Sequence, residues 1–118
     1  MDNITILDRI RYMFQFNHEG QVYKIRVSFN DDRSKINIKF GYLYELMDKN
    51  HKNDKKIVDI YNCSYALENM DADIIYGYLM LVFAEITRVY DISFNKAVRI
   101  FGIKNFCHII CDRENRNH

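Results

Sequence analysis

The chain has no proline, no tryptophan, four glycines, three cysteines and no surplus of either charge. Each shortage excludes something. With four glycines there is no G-x-G-x-x-G and no G-x-x-x-x-G-K-[ST], so no loop is built to wrap a phosphate. H-E-x-x-H and G-x-S-x-G are also missing, which removes the common zinc-protease and serine-hydrolase layouts. An odd cysteine count does not suit a secreted disulfide framework and predicts a reducing cytosol. Lys plus Arg total 17 against 16 acidic residues. That balance excludes a whole-molecule attraction to nucleic acid or anionic membranes, though not a local patch. No stretch reaches about 18 uncharged apolar residues, so no helix is expected to span a bilayer. Met1-Asp2-Asn3 lacks the basic-then-apolar layout of a signal peptide. The expected location is the cytoplasm of the producing or host cell.

What is present begins with Ile (16), Asn (12) and Lys (9). Their codons are AT-rich, which points to a low-GC bacterium, its phage or mobile elements, or a large DNA virus. Apolar residues make up 48% of the 118, enough for one buried core and one domain. Up to residue 41 the hydrophobic period is two. Ile10, Tyr12, Phe14 and Phe16 alternate with polar neighbours, as do Tyr23, Ile25, Val27 and Phe29, and then Ile36, Ile38 and Phe40. Alternation puts one face of a strand toward a core and the other toward water. His18-Glu19-Gly20 and Asp31-Asp32-Arg33-Ser34 carry turn chemistry between the runs. The pattern predicts a three-stranded antiparallel meander, with 21–29 and 35–40 as a hairpin. Ile4, Leu7, Ile10 and Phe14 would also suit a helix face at the start.

After Gly41 the period lengthens. Leu43, Leu46 and Met47 suggest a short helix over 42–49, followed by an exposed polar loop over 48–56. Residues 57–67 read equally as helix or strand. The strongest helix signal starts at Asp71 or Asp73, an acidic cap, with Ile75, Leu79, Val82, Phe83, Ile86 and Tyr90 recurring at steps of three and four. The opposite side, with Tyr76, Gly77, Met80 and Ala84, is also apolar, so it needs cover from the C-terminal helices or from a partner. Ser93 is expected to cap a short helix with Phe94, Ala97, Val98 and Phe101 inward and Gly102 as its stop. A last helix is expected over 103–111 through Phe106, Ile109 and Ile110, then a frayed tail from Asp112. The fold class is α+β: the meander packed against a C-terminal layer of three to four helices. As a single domain of 1–118, it divides into a sheet portion over 1–41, a mainly helical portion over 42–112 and a tail over 113–118.

Few residue groups suggest chemistry. Cys107, His108 and Cys111 resemble metal ligands, with Cys63, His51 or His18 as a fourth, but zinc thiolate sites favour the tighter C-x-x-C. Buried packing of the cysteines is the plainer reading, and no metal or cofactor is expected. Asp71 with Asp73, and Asp31 with Asp32, sit where Asp is common for local reasons. The segment from Asn95 to Cys111 has the outline of a helix-turn-helix, yet Ala97 precedes Gly102 by five positions rather than four, so a structural helical hairpin fits better. Lys49, Lys52, Lys55 and Lys56, with Lys24, Arg26, Lys35 and Lys39, would make a cationic surface beside tyrosines.

Residues from about Ile75 to Cys111 also resemble a family of small helical bacterial proteins of unknown function, notably at Phe83-Ala84-Glu85, Tyr90-Asp91-Ile92-Ser93, Ala97 and Phe101-Gly102-Ile103. In that family a Glu-bearing apolar helix leads through a Leu-Ser cap to a helix ending near a Tyr-Gly pair. This sequence has Ala84-Glu85 where a Glu pair is usual and His108 near where a Tyr is usual. The resemblance implies a helical C-terminal part and carries over no functional residue.

By exclusion, the expected function is non-enzymatic binding of a macromolecular partner, foremost a protein. An accessory or inhibitory (anti-defence) protein of a bacterial mobile element or phage would suit the size and composition. The alternative is a nucleic-acid-binding module using the basic sheet face and lysine loop. A third reading is a Cys/His metal or redox protein. The expected partner-binding residues are Lys24, Arg26, Lys39, Lys52, Lys55, Lys56, Tyr42 and Tyr44. Self-association is compatible with this reading and membrane binding is not.

Overall fold

The structure, a computed structural model, describes residues 11–48, 51–92 and 98–116. Four strands, β1 (Arg11–His18), β2 (Gln21–Phe29), β3 (Lys35–Asp48) and β4 (His51–Ala66), form one antiparallel sheet in the order β1-β2-β3-β4. Helix α1 (Ala72–Tyr90), a π-helical segment (Val98–Ile103) and helix α2 (Lys104–Arg116) follow. The class is α+β. The sheet has four strands rather than three, and the described residues hold two helices and the π-helical segment rather than three to four helices.

Local chemistry sets the turns. His18 pairs with Gln21 across Glu19 (φ 50°) and Gly20 (φ 80°), a two-residue turn whose left-handed centre matches the twist of the strands. Between β2 and β3 the Asp32 carboxylate accepts from the Ser34 backbone N–H at 3.0 Å and from its hydroxyl at 2.6 Å. The Asn30 side chain accepts from the Lys35 N–H at 2.9 Å. The expected hairpin of 21–29 and 35–40 is present, with Ile25 opposite Phe40 and Val27 opposite Ile38.

Alternation then divides the sheet. Tyr12, Phe16, Ile25, Val27, Phe29, Ile36, Ile38 and Phe40 are buried on one face. Both helices cover that face. The Phe83 ring of α1 packs on Phe16 and Phe40 at 6.2 and 6.4 Å, and Phe106 of α2 packs on Phe14 at 5.5 Å. Asp71 caps α1 by accepting from the N–H groups of Asp73 and Ile74. Ile75, Leu79, Val82, Phe83 and Ile86 point inward as their spacing predicts. Tyr90 is exposed, and its hydroxyl donates to the Ile60 carbonyl at 2.7 Å.

Several expectations give way. Residues 42–48 continue β3 instead of forming a helix, because Leu43, Tyr44 and Glu45 pair with Ile57, Lys56 and Lys55 of β4. Backbone pairing with a neighbouring strand outweighs a weak helical spacing. The polar stretch thought to be a loop therefore belongs largely to the two strands, and 57–66 is strand, so the sheet portion ends near residue 66 rather than 41. Phe101 is 75% exposed, not inward. Gly102 stops nothing, since the π-helical segment runs straight into α2; the start of the expected helical hairpin, 95–97, lies outside the described residues. A Cβ at Gly102 would lie 2.9 Å from the tip of the Phe14 ring, so close packing is what the glycine serves. Helix α2 continues to Arg116 instead of fraying at Asp112. The expectations for Ile4, Leu7, Ile10, Ser93, Phe94 and Ala97 lie outside the described residues.

The extension of α2 has a cause in its buried Glu114, whose carboxylate accepts from the Tyr12 hydroxyl and from Arg33 Nε, the latter at 2.6 Å. Arg33 adopts φ 60° in the β2–β3 turn. One carboxylate thus ties the end of α2 to β1 and to a turn. Burial, then Glu114, pushes the Tyr12 phenol well above its usual range, so it stays a donor.

Gly41 marks the register shift between β3 and β4, where a Cβ would lie 2.5 Å from the Val58 carbonyl oxygen and 3.1 Å from Asp59 Cα. Gly41→Ala is expected to cost about 1–3 kcal/mol, since the obstacle is backbone. Gly77→Ala in α1 meets nothing within 4 Å and is expected to raise stability by up to about 1 kcal/mol. Denaturant titration of the two variants checks both signs.

Candidate functional site

The helices cover one face of the sheet and leave the other open. Strand alternation puts Met13 and Gln15, Lys24 and Arg26, Lys35 and Lys39, and Lys55 with Asp59 on the open face. Two of these cations are paired there, Arg26 with Asp59 and Lys55 with Glu45 at 3.8 Å. Lys24 donates to the Gln15 side chain at 2.9 Å. Its ammonium is pushed below the usual lysine range, by partial burial first and then by Lys55 and Arg26. The face is cationic locally, with acids interleaved.

The expected partner-binding residues fall on two sides. Lys24, Arg26, Lys39 and Lys55 share the open face. Tyr42 lies opposite Tyr23, whose ring stacks on the buried Phe40 at 5.4 Å, so it belongs to the helix-covered side. Tyr44, 47% exposed, and Lys56 alternate with it on that same side. The side chain of Lys52 lies outside the described residues. The register therefore separates Lys24, Arg26, Lys39 and Lys55 from the tyrosines and leaves Lys56 beside Tyr44. A surface that stacks bases needs rings and cations together, and of the expected residues the register brings together only Lys56 with Tyr44.

Cys63 lies apart from the other two cysteines. Cys107 and Cys111 are buried on α2, and Cys63 is half-buried on β4, at the opposite edge of the sheet from β1. Among the described residues no three His, Cys, Asp or Glu side chains converge as metal ligands. Burial, then Cys111, pushes the Cys107 thiol up to about 12, and burial, then Asp71, pushes Cys111 up to about 11. Such thiols are poor nucleophiles and poor ligands. Asp71 and Asp32 are engaged by backbone N–H groups, as cap and turn residues. No helix among the described residues is long and apolar enough to cross a membrane.

The surface that sequence reasoning weighed least is the outward side of α1. From Ile74 to Ala84 the helix reads IIYGYLMLVFA, three turns without a charged side chain. Its inward residues are buried, while Ile74 (38%), Leu81 (56%), Gly77 and Ala84 face outward. Its flanks are held by the fold. Tyr78 stacks on Tyr65 at 4.4 Å and donates to the Ala66 carbonyl, and Tyr76 sits under the Lys104 ammonium of α2. The two ends of the stripe carry Asp73 and the Arg88–Glu85 pair. The signal was legible as an apolar run on a helix otherwise amphipathic.

Compared with family models, with curated proteins and with solved structures, the chain matches none.

At pH 8 the thiols of Cys107 and Cys111 are expected to resist an aromatic disulfide reagent until the chain is unfolded. Both thiols titrate higher folded than unfolded, so their contribution to stability is complete below the unfolded value of about 8.5 and is lost as pH rises toward the folded values. A denaturant midpoint that falls above about pH 8.5, and falls less in Cys107→Ala, checks the sign.

Proposed function

We propose that the chain is a small non-enzymatic protein that acts by binding another protein through the outward face of α1. The observation that carries this reading is the uncharged stripe of Ile74, Gly77, Leu81 and Ala84 left in water by a helix whose other side is fully packed. Monomeric proteins rarely keep contiguous apolar surface without a use for it. Small size and AT-rich composition support placing it among the accessory or inhibitory proteins, such as anti-defence factors, of a bacterial mobile element or phage.

A second reading, nucleic-acid binding on the open sheet face, is supported by the mutual field of Lys24, Arg26 and Lys55. It is weakened by the lack of rings among the described residues of that face and by the Asp59 and Glu45 pairings.

A photo-crosslinking residue placed at position 81, and separately at position 39, distinguishes the two in the producing cell. A discrete protein adduct from position 81 and none from position 39 is expected. Oligonucleotide titration at two salt concentrations provides the counter-test. Micromolar binding with a log–log salt slope near about −4, lost in a Lys24→Ala, Lys39→Ala, Lys55→Ala variant, would replace the first reading by the second.

A further inference from the structure

We infer that Glu114 is a two-state latch, through which the end of α2 and the β2–β3 turn open together or stay closed together. The latch is independent of what α1 binds. Closed, it joins several elements at one end of the molecule. The Glu114 side chain is fully buried, one oxygen accepting from the Tyr12 hydroxyl of β1 and the other from Arg33 Nε at 2.6 Å. The Arg33 guanidinium also folds back on its own turn, where Nη1 donates to the Asp31 carbonyl at 2.9 Å. Ser34, next in that turn, accepts through its carbonyl from the Leu67 N–H at 2.8 Å. Leu67 is buried in the connection from β4 to α1.

Arg33 supplies the second state. Its φ of 60° is left-handed, a conformation that glycine adopts freely and that is strained for a residue with a Cβ. The turn's other hydrogen bonds, from Ser34 to Asp32 and from Lys35 to Asn30, are made by other residues. What calls for an arginine at this position is the buried carboxylate, which needs a cation beside it. Strain in the turn is thus upheld by a contact 81 positions away.

Half-open arrangements are penalised. If the last turn of α2 left alone, Arg33 would keep its strained backbone without Glu114, and the buried Tyr12 hydroxyl would lose its acceptor. If the β2–β3 turn relaxed alone, the Glu114 charge would stay buried without its cation. With both released, the two charges reach water and Arg33 returns to ordinary backbone. Two favourable states with costly mixtures between them make one cooperative unit. Because Ser34 holds Leu67, the same opening loosens the chain entering α1.

Hydrogen exchange of the full chain, read at single amides by NMR, is the test. In the parent, residues 112–116 of α2 should share one protection factor with Arg33, Lys35 and Leu67, below that of Ile25 and Val27 in the sheet. Glu114→Gln keeps the shape and drops the charge. It should speed exchange at least about fivefold in both groups and leave Ile25 and Val27 unchanged. Adding Arg33→Gly to Glu114→Gln should return position 33 and Lys35 to parental exchange while 112–116 stay fast, because glycine needs no latch to hold that φ. The parent comparison needs no substitution, so it decides even where a variant fails to fold. Protection factors differing more than about tenfold between the two groups of the parent would overturn the inference. So would a Glu114→Gln effect confined to α2 or uniform over the sheet, or a turn that stays fast in the double variant.

Discussion

The fold depends on covering one face of one sheet. Alternation places Tyr12, Phe16, Ile25, Val27, Phe29, Ile36, Ile38 and Phe40 on the same side, a surface far too apolar to remain in water. Phe83 closes that surface from α1 through its contacts with Phe16 and Phe40, and Phe106 closes it from α2 through Phe14. The buried Glu114 adds a constraint of another kind. Held by Tyr12 and Arg33, it fixes the end of α2 over β1; removing Arg33 would leave its charge unpaired in the core, and removing the Tyr12 hydroxyl would leave one carboxylate oxygen without its donor.

From this one-sided arrangement the surfaces follow. The uncovered sheet face is free to be polar, and it carries cations interleaved with Asp59 and Glu45. The outward side of α1 had the same freedom and remained apolar. The contrast between two solvent-facing surfaces of one small domain, one charged and one uncharged over three helical turns, is what directs the functional reading to α1. The tyrosines at Tyr42 and Tyr44 cannot reinforce the cations of the open face, because one step along a strand moves a side chain to the other face.

The sequence revealed most where burial was one-sided. Period two exposed β1, β2 and the first half of β3, and steps of three and four exposed the inner face of α1 with its Asp71 cap. It was silent where strands pair without a core beneath them. Past Tyr42, β3 pairs with β4 alone, so its apolar residues follow no sheet period, and Leu43, Leu46 and Met47 fall by accident at helical spacing. Glu114 looked like a tail residue because its partners lie 102 and 81 positions away. Phe101 looked inward because the pattern assumed an ordinary helix, whereas a π-helical turn shifts the phase and gives the inner position to Ile103. The apolar back of α1 was visible from the start; that neither the sheet nor α2 covers it required the structure.

Hydroxyl-radical footprinting of the purified chain and of the chain in the producing cell tests the central claim directly. If the outward face of α1 is the interacting surface, oxidation of Leu81 should be lower in the cell than in the purified chain. Met13 on the open sheet face should be oxidised at the same rate in both. Protection at Met13 in the cell while Leu81 stays equally reactive would contradict the account.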